Sequence, residues 1–224
     1  MGKNFRENVI VSLLGAVLLG GIGFSHAAHA TPSATHWCMQ AADASVPDGA
    51  PAGTYSWVPF TAETLVTKGD FGKKGAVTEQ RISGIAESLN SGLEVWMAEL
   101  GATSVASMSD ASGLVITGEV LYVNAGSPAK RIMTGGGPGK AEVKVVFSVV
   151  DAAAPDKPLV TFLIMGLDLN SDVYAVPGIL QKSVPKSIVR ALKKPSKAKV
   201  KKSAQFEVDA VEKERQKQAD KQEK

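Results

Sequence analysis

The sequence predicts a small α/β (α+β) domain of element order β-α-β-β-β-α, with a mixed or antiparallel sheet packed by two helices. Three observations carry this. Ala141, Val143, Val145, Phe147 and Val149 alternate with Glu142, Lys144 and Ser148, the two-residue period of a strand. Ile82, Ile85, Leu89, Leu93, Trp96 and Leu100 instead recur every three or four residues, one stripe of a helix. A very apolar head and a very charged tail bracket these patterns, so only the middle of the chain has the composition to build a core.

The head reads as an export signal, residues 1–30. Lys3 and Arg6 form a basic start, Val9 to Phe24 is a run of apolar residues, glycine and one serine, and Ala28-His29-Ala30 has the small-x-small cleavage pattern. Cleavage is expected after Ala30, with Ser25-His26-Ala27 as a second site. The alternative is an uncleaved anchor in the inner membrane, although the run is short of the roughly 20 residues that a spanning helix needs. After cleavage no transmembrane span is expected, and the protein would lie in the periplasm or cell envelope.

Residues 31–54 hold Pro32, Pro47, Pro51, Gly49 and Gly53, which predicts an irregular, extended leader. Tyr55–Lys68 reads as a first strand with a bend or edge position at Pro59. A loop follows, then a helix from the N-cap Thr78 to about Leu100, stopped by Gly101. Gly84, near the apolar stripe, is expected to permit close packing on the sheet. Three strands come next, Leu114–Asn124, Ala141–Val149 and Pro158–Leu169; in the first, Leu114, Ile116, Val120 and Tyr122 are expected to share a face. Val176–Leu192 has helical spacing, and Pro185 predicts either a kink or a start near Lys186. The single domain is thus expected over residues 55–192, and the tail, 193–224, is expected to be disordered or a solvated helix because it has too few apolar residues to offset its ordering.

The run Arg131–Ala141, RIMTGGGPGKA, looks at first like a phosphate-binding loop. Ala141 stands where magnesium binding needs Ser or Thr, Thr134 stands where the pattern needs glycine, and a strand follows where the helix N-terminus should face the phosphate. The better reading is a wide hairpin turn in which glycines supply positive φ. Lys130, Arg131 and Lys140 at its base leave Arg131, Gly136, Gly139 and Lys140 as candidate contacts for an anion or a partner.

Charge and histidine placement bound the chemistry. Residues 31–181 carry 9 basic and 15 acidic side chains, and residues 182–224 carry 14 and 6, so a mildly acidic body bears a basic tail. All histidines, His26, His29 and His36, lie at or before position 36, so the body cannot build a Ser-His-Asp, Cys-His or His-ligated zinc site. Cys38 is the sole cysteine and has no intrachain disulfide partner. Asp151, Asp156, Asp168 and Asp172 fall at strand ends and turns, where aspartate is ordinary. The basic run Lys193–Lys202 is a candidate contact for an anionic surface, and the lack of interleaved aromatic residues argues against nucleic acid.

Gly118-Glu119-Val120, Arg131, Gly135 to Ala141 and Asp151, followed by an apolar strand, resemble the bacterial domain of unknown function family 4410. The resemblance implies an exported envelope protein. Many such proteins are lipoproteins, but Thr35-His36-Trp37 before Cys38 is not a lipobox. The element order also resembles small domains of the curli secretion lipoprotein, of penicillin-binding-protein activator lipoproteins and of the Tol system's periplasmic propeller protein, a likeness of fold that does not carry function. The sequence therefore leads to a non-enzymatic module with no cofactor or metal. Its expected partner is an envelope protein or a second copy. The alternative is an anion- or phosphate-binding protein, or an enzyme, using the Arg131–Lys140 loop.

Overall fold

The computed structural model describes residues 33–41, 54–68, 79–126, 139–168, 175–193 and 202–222. The expected signal, residues 127–138 with Arg131 and Gly136, the expected cap Thr78 and residues 194–201 lie outside them.

Seven strands form one mixed sheet: β1 (Ser33–Ala41), β2 (Tyr55–Trp57), β3 (Val66–Lys68), β4 (Thr103–Ser104), β5 (Leu114–Asn124), β6 (Ala141–Asp151) and β7 (Val160–Asp168). Their order is β1-β7-β6-β5-β2-β4, and β3 also pairs with β5. Each of the first four in that order is antiparallel to its neighbour, whereas β2 and β3 run parallel to β5. A parallel return needs a crossover, and helix α1 (Glu79–Ala98) supplies it between β3 and β5. With α2 it covers one face of the sheet. Helix α2 comprises Ala175–Gly178, a π-turn over Ile179–Ser183 and Val184–Lys193. Helix α3 (Lys202–Gln222) crosses the other face.

The main core lies under α1 and α2. Ile85, Leu89, Leu93 and Met97 of α1 meet the inward side chains of β6 and β7, including Phe147 and Phe162, whose rings stack with centroids 4.9 Å apart. Gly101, at φ 66°, ends α1 as expected, and Ala102 N–H closes the turn on Met97 O at 3.2 Å.

Four expectations about the strands and the tail need correction. The leader is not irregular throughout: Ser33–Ala41 is an edge strand paired with β7, so the sheet extends beyond residues 55–192. Tyr55–Lys68 is not one strand. It breaks into β2 and β3 around Pro59, and Thr61 N–H reaches Gly118 O at 3.1 Å in between. Tyr122 does not share a face with Ile116 and Val120, because a bulge between Val120 and Tyr122 flips the alternation. Val123 therefore joins the main core, and Tyr122 faces α3. Finally, α3 is not a solvated tail: Ala204 and Val211 are buried.

Pro185 neither ends α2 nor starts it. In an unbroken α-helix its ring would press on the Gln181 carbonyl. The π-turn before it, with Val184 N–H bonded to Ile179 O, widens the helix at that point. The widened turn leans on α1 at Gly92, where an added Cβ would lie 2.5 Å from Gln181 O and 2.7 Å from its Cα. Gly92, and not Gly84, is the close approach, since a Cβ on Gly84 would meet nothing within 4 Å. Gly92→Ala should therefore cost roughly 1–3 kcal/mol by overpacking, whereas Gly84→Ala should gain up to about 1 kcal/mol from helix propensity. Denaturant unfolding of the two variants should show these opposite signs, and a shared sign would contradict the packing.

Candidate functional site

Gly118 and Glu119 are neighbours on β5 that face opposite sides of the sheet, Gly118 the side covered by α1 and Glu119 the side crossed by α3. Gly118 has no room for a side chain: a Cβ would come within 2.5 Å of the Phe60 ring and 2.7 Å of Val146 O. Phe60 thus lies flat on β5 and is held by Asn90 of α1, which accepts from Phe60 N–H at 2.8 Å and donates to Phe60 O at 3.0 Å. One residue on, the Glu119 carboxylate accepts from the Thr64 N–H at 2.8 Å and from the Thr64 hydroxyl. The pair fixes the segment between β2 and β3 as a ridge along β5.

Thr64 also ties the ridge to α3. Arg215 donates through Nε at 3.1 Å and Nη2 at 2.9 Å to Thr64 O. Gln218 reaches Thr67 O at 3.3 Å, and Lys68 pairs with Glu214 at 3.1 Å. Further along α3, Glu207 pairs with Lys144 at 2.5 Å. Lys144 is only 7% exposed; Glu142 lies 3.6 Å from its ammonium, which also sits 5.1 Å above the centre of the Tyr122 ring. Val66, Tyr122 and Val211 form the small apolar cluster beneath the helix.

Between the ridge and α3 runs an open-sided groove of about 400 Å³. Leu121 and Val146 supply apolar floor, Val208 of α3 forms one wall, and Thr61 and Glu119 form the other. At one end Thr117 pairs with Ser148 across β5 and β6. Ser148 in turn shares a hydrogen bond of 2.8 Å with Thr161 on β7. The result is a row of hydroxyls across three strands beside an alkyl row. No group of three or more His, Cys, Asp or Glu with metal-binding geometry occurs among the described residues.

The sequence-derived candidates sit elsewhere. Gly139, at φ 119°, turns the chain into β6, and Lys140 is half-buried beside it. The segment after Lys140 is a strand, as its period predicts. Arg131 and Gly136 are outside the described residues. The sequence reading missed Thr64, Glu119, Lys144, Glu207 and Arg215 as a connected set. The available signal was the spacing Ala204, Val208, Val211, Arg215 and Gln218, one stripe of α3 whose polar members meet backbone carbonyls.

No family model matches the chain, and no curated protein matches it. Among solved structures it is similar to the PelC dodecamer of Paraburkholderia phytofirmans in two crystal forms. One is a point variant, with 11% identity, a TM-score of 0.39 and coverage of 73% of this chain and 98% of that chain. The other has 12% identity, a TM-score of 0.38 and coverage of 70% and 96%. A Xanthomonas campestris protein described under DUF330 follows at 9% identity and TM-score 0.37, with coverage of 65% of this chain and 87% of that chain. At these scores the likeness assigns neither a fold family nor a function.

Burial first, and then the Glu142 carboxylate, push the Tyr122 hydroxyl from 10.0 up to about 12. The folded state thus favours the neutral phenol. That contribution is complete below pH 10 and is lost as pH rises from 10 to about 12. Tyr122→Phe should remove an alkaline stability loss of up to roughly 2 kcal/mol together with the latest phase of tyrosine ionisation in an ultraviolet titration. Identical alkaline profiles for the two proteins would contradict the burial of this hydroxyl.

Proposed function

We propose that the protein is an exported cell-envelope module, without catalytic activity, that binds an extended segment of a partner protein in the groove between β5–β6 and α3. The supporting observation is the lining: the hydroxyls of Thr117 and Ser148, the latter bonded to Thr161 just beyond the groove, lie beside an alkyl row at Leu121 and Val146. Neighbouring strands lie roughly 4.7–4.9 Å apart, so one or two residues of an extended peptide, at roughly 3.3 Å each, step from one row member to the next. Its amides meet the hydroxyls while its alternate side chains meet the alkyl floor. The carboxylate in the wall, Glu119, is already engaged by Thr64. The volume, about 400 Å³, suits a short segment.

The envelope assignment rests on the export signal expected at 1–30 and on the resemblance of Gly118-Glu119-Val120 and the glycine run to family 4410. No helix of the described residues is long and apolar enough to cross a membrane.

A photo-crosslinking residue at Thr117 tests the reading in intact envelopes, with Asp156 in the exposed turn between β6 and β7 as control. The expected outcome is a discrete cross-linked protein at Thr117, absent at Asp156 and lost when Ser148→Trp fills the groove. No Thr117-specific product, or turnover of a substrate by the purified protein, would overturn the proposal.

A further inference from the structure

The helical face carries a separate pattern. From Gly84 to Glu99, α1 and its exit contain Glu87, Glu94 and Glu99 and no Lys or Arg. From Ala175 to Lys193, α2 contains Lys182, Lys186, Arg190 and Lys193 and no Asp or Glu. Most of these charges are exposed, because the apolar sides of both helices are turned to the sheet. The helices lie side by side, so an acidic stripe adjoins a basic one. Lys186 reaches over the Trp96 ring at 5.4 Å, and Lys193 lies 3.9 Å from Glu99, which sets the two stripes level with each other. Lys193 and Glu99 remain 50% and 52% exposed, so the contact within one chain leaves both available. Within the acidic stripe, Val95 is a large apolar side chain left 70% exposed among the described residues.

We infer that this face is a self-complementary interface for a second copy of the chain. A two-fold axis in the plane of the face, parallel to the helices, exchanges the stripes while keeping their level. The acidic stripe of one copy then lies on the basic stripe of the other, twice over, and each Val95 is covered. An isologous contact needs this self-complementarity. A purely acidic or purely basic partner would satisfy one stripe and repel the other, which is why the observations favour a second copy. The face lies opposite the groove, so self-association leaves the groove open.

Sedimentation of the mature chain across concentration tests the inference, with exposed charges chosen so that folding is preserved. The wild type should form a dimer whose dissociation constant rises roughly tenfold or more between low and 0.5 M salt, as screened charges require. Glu94→Lys with Glu99→Lys should dissociate it, as should Lys182→Glu with Arg190→Glu. All four changes in one chain should restore it. Circular dichroism and unfolding midpoints confirm that each variant is folded. A wild type that stays monomeric at every concentration would overturn the inference, as would a dimer indifferent to both reversals or a quadruple variant that fails to re-form it.

Discussion

A lysine in the middle of a sheet face constrains the rest of this molecule. Lys144 lies on β6, the strand flanked by β5 and β7, and is almost fully buried. An ammonium in that position is unfavourable unless paired. Glu142 on its own strand is 3.6 Å away, and the close contact comes from Glu207 on α3. The C-terminal helix is therefore part of the fold: it supplies the charge that makes the sheet face viable. Once docked, it places Val208 beside the groove and brings Arg215 to the Thr64 carbonyl. Few apolar residues hold α3, so polar contacts specify its position more than area burial does.

The second constraint is backbone contact through glycine. Gly118 admits the Phe60 ring and Gly92 admits the widened turn before Pro185. Gly118 and Glu119 are neighbours on β5, and both anchor the β2–β3 ridge, Gly118 by admitting Phe60 and Glu119 by holding Thr64.

The strand-helix order was legible because β5, β6, β7 and α1 announce their periods strongly. β6 alternates cleanly, and Leu89 and Leu93 are fully buried where the stripe predicts. β1 was hidden because its sequence, SATHWCMQA, has weak alternation and lies in a segment rich in proline and glycine. The face of Tyr122 was misassigned because a bulge leaves no mark on composition. Helix α3 was misread because its docking depends on Glu207, Arg215 and Gln218, residue types that also make a solvated helix. Only the three-dimensional position of Lys144 distinguishes the two. The candidate site was illegible for the same reason, since its walls come from segments more than 140 residues apart, Thr61 and Val208 among them.

The most direct test of this account is a double-mutant cycle on Lys144 and Glu207, read by denaturant unfolding. Glu207→Gln should destabilise the protein by roughly 1–3 kcal/mol, the cost of leaving a buried charge poorly paired. In the Lys144→Met background the same change should cost little, giving a coupling energy of at least about 1 kcal/mol. A coupling energy near zero would show that α3 is not held by the buried lysine, and would contradict the central claim.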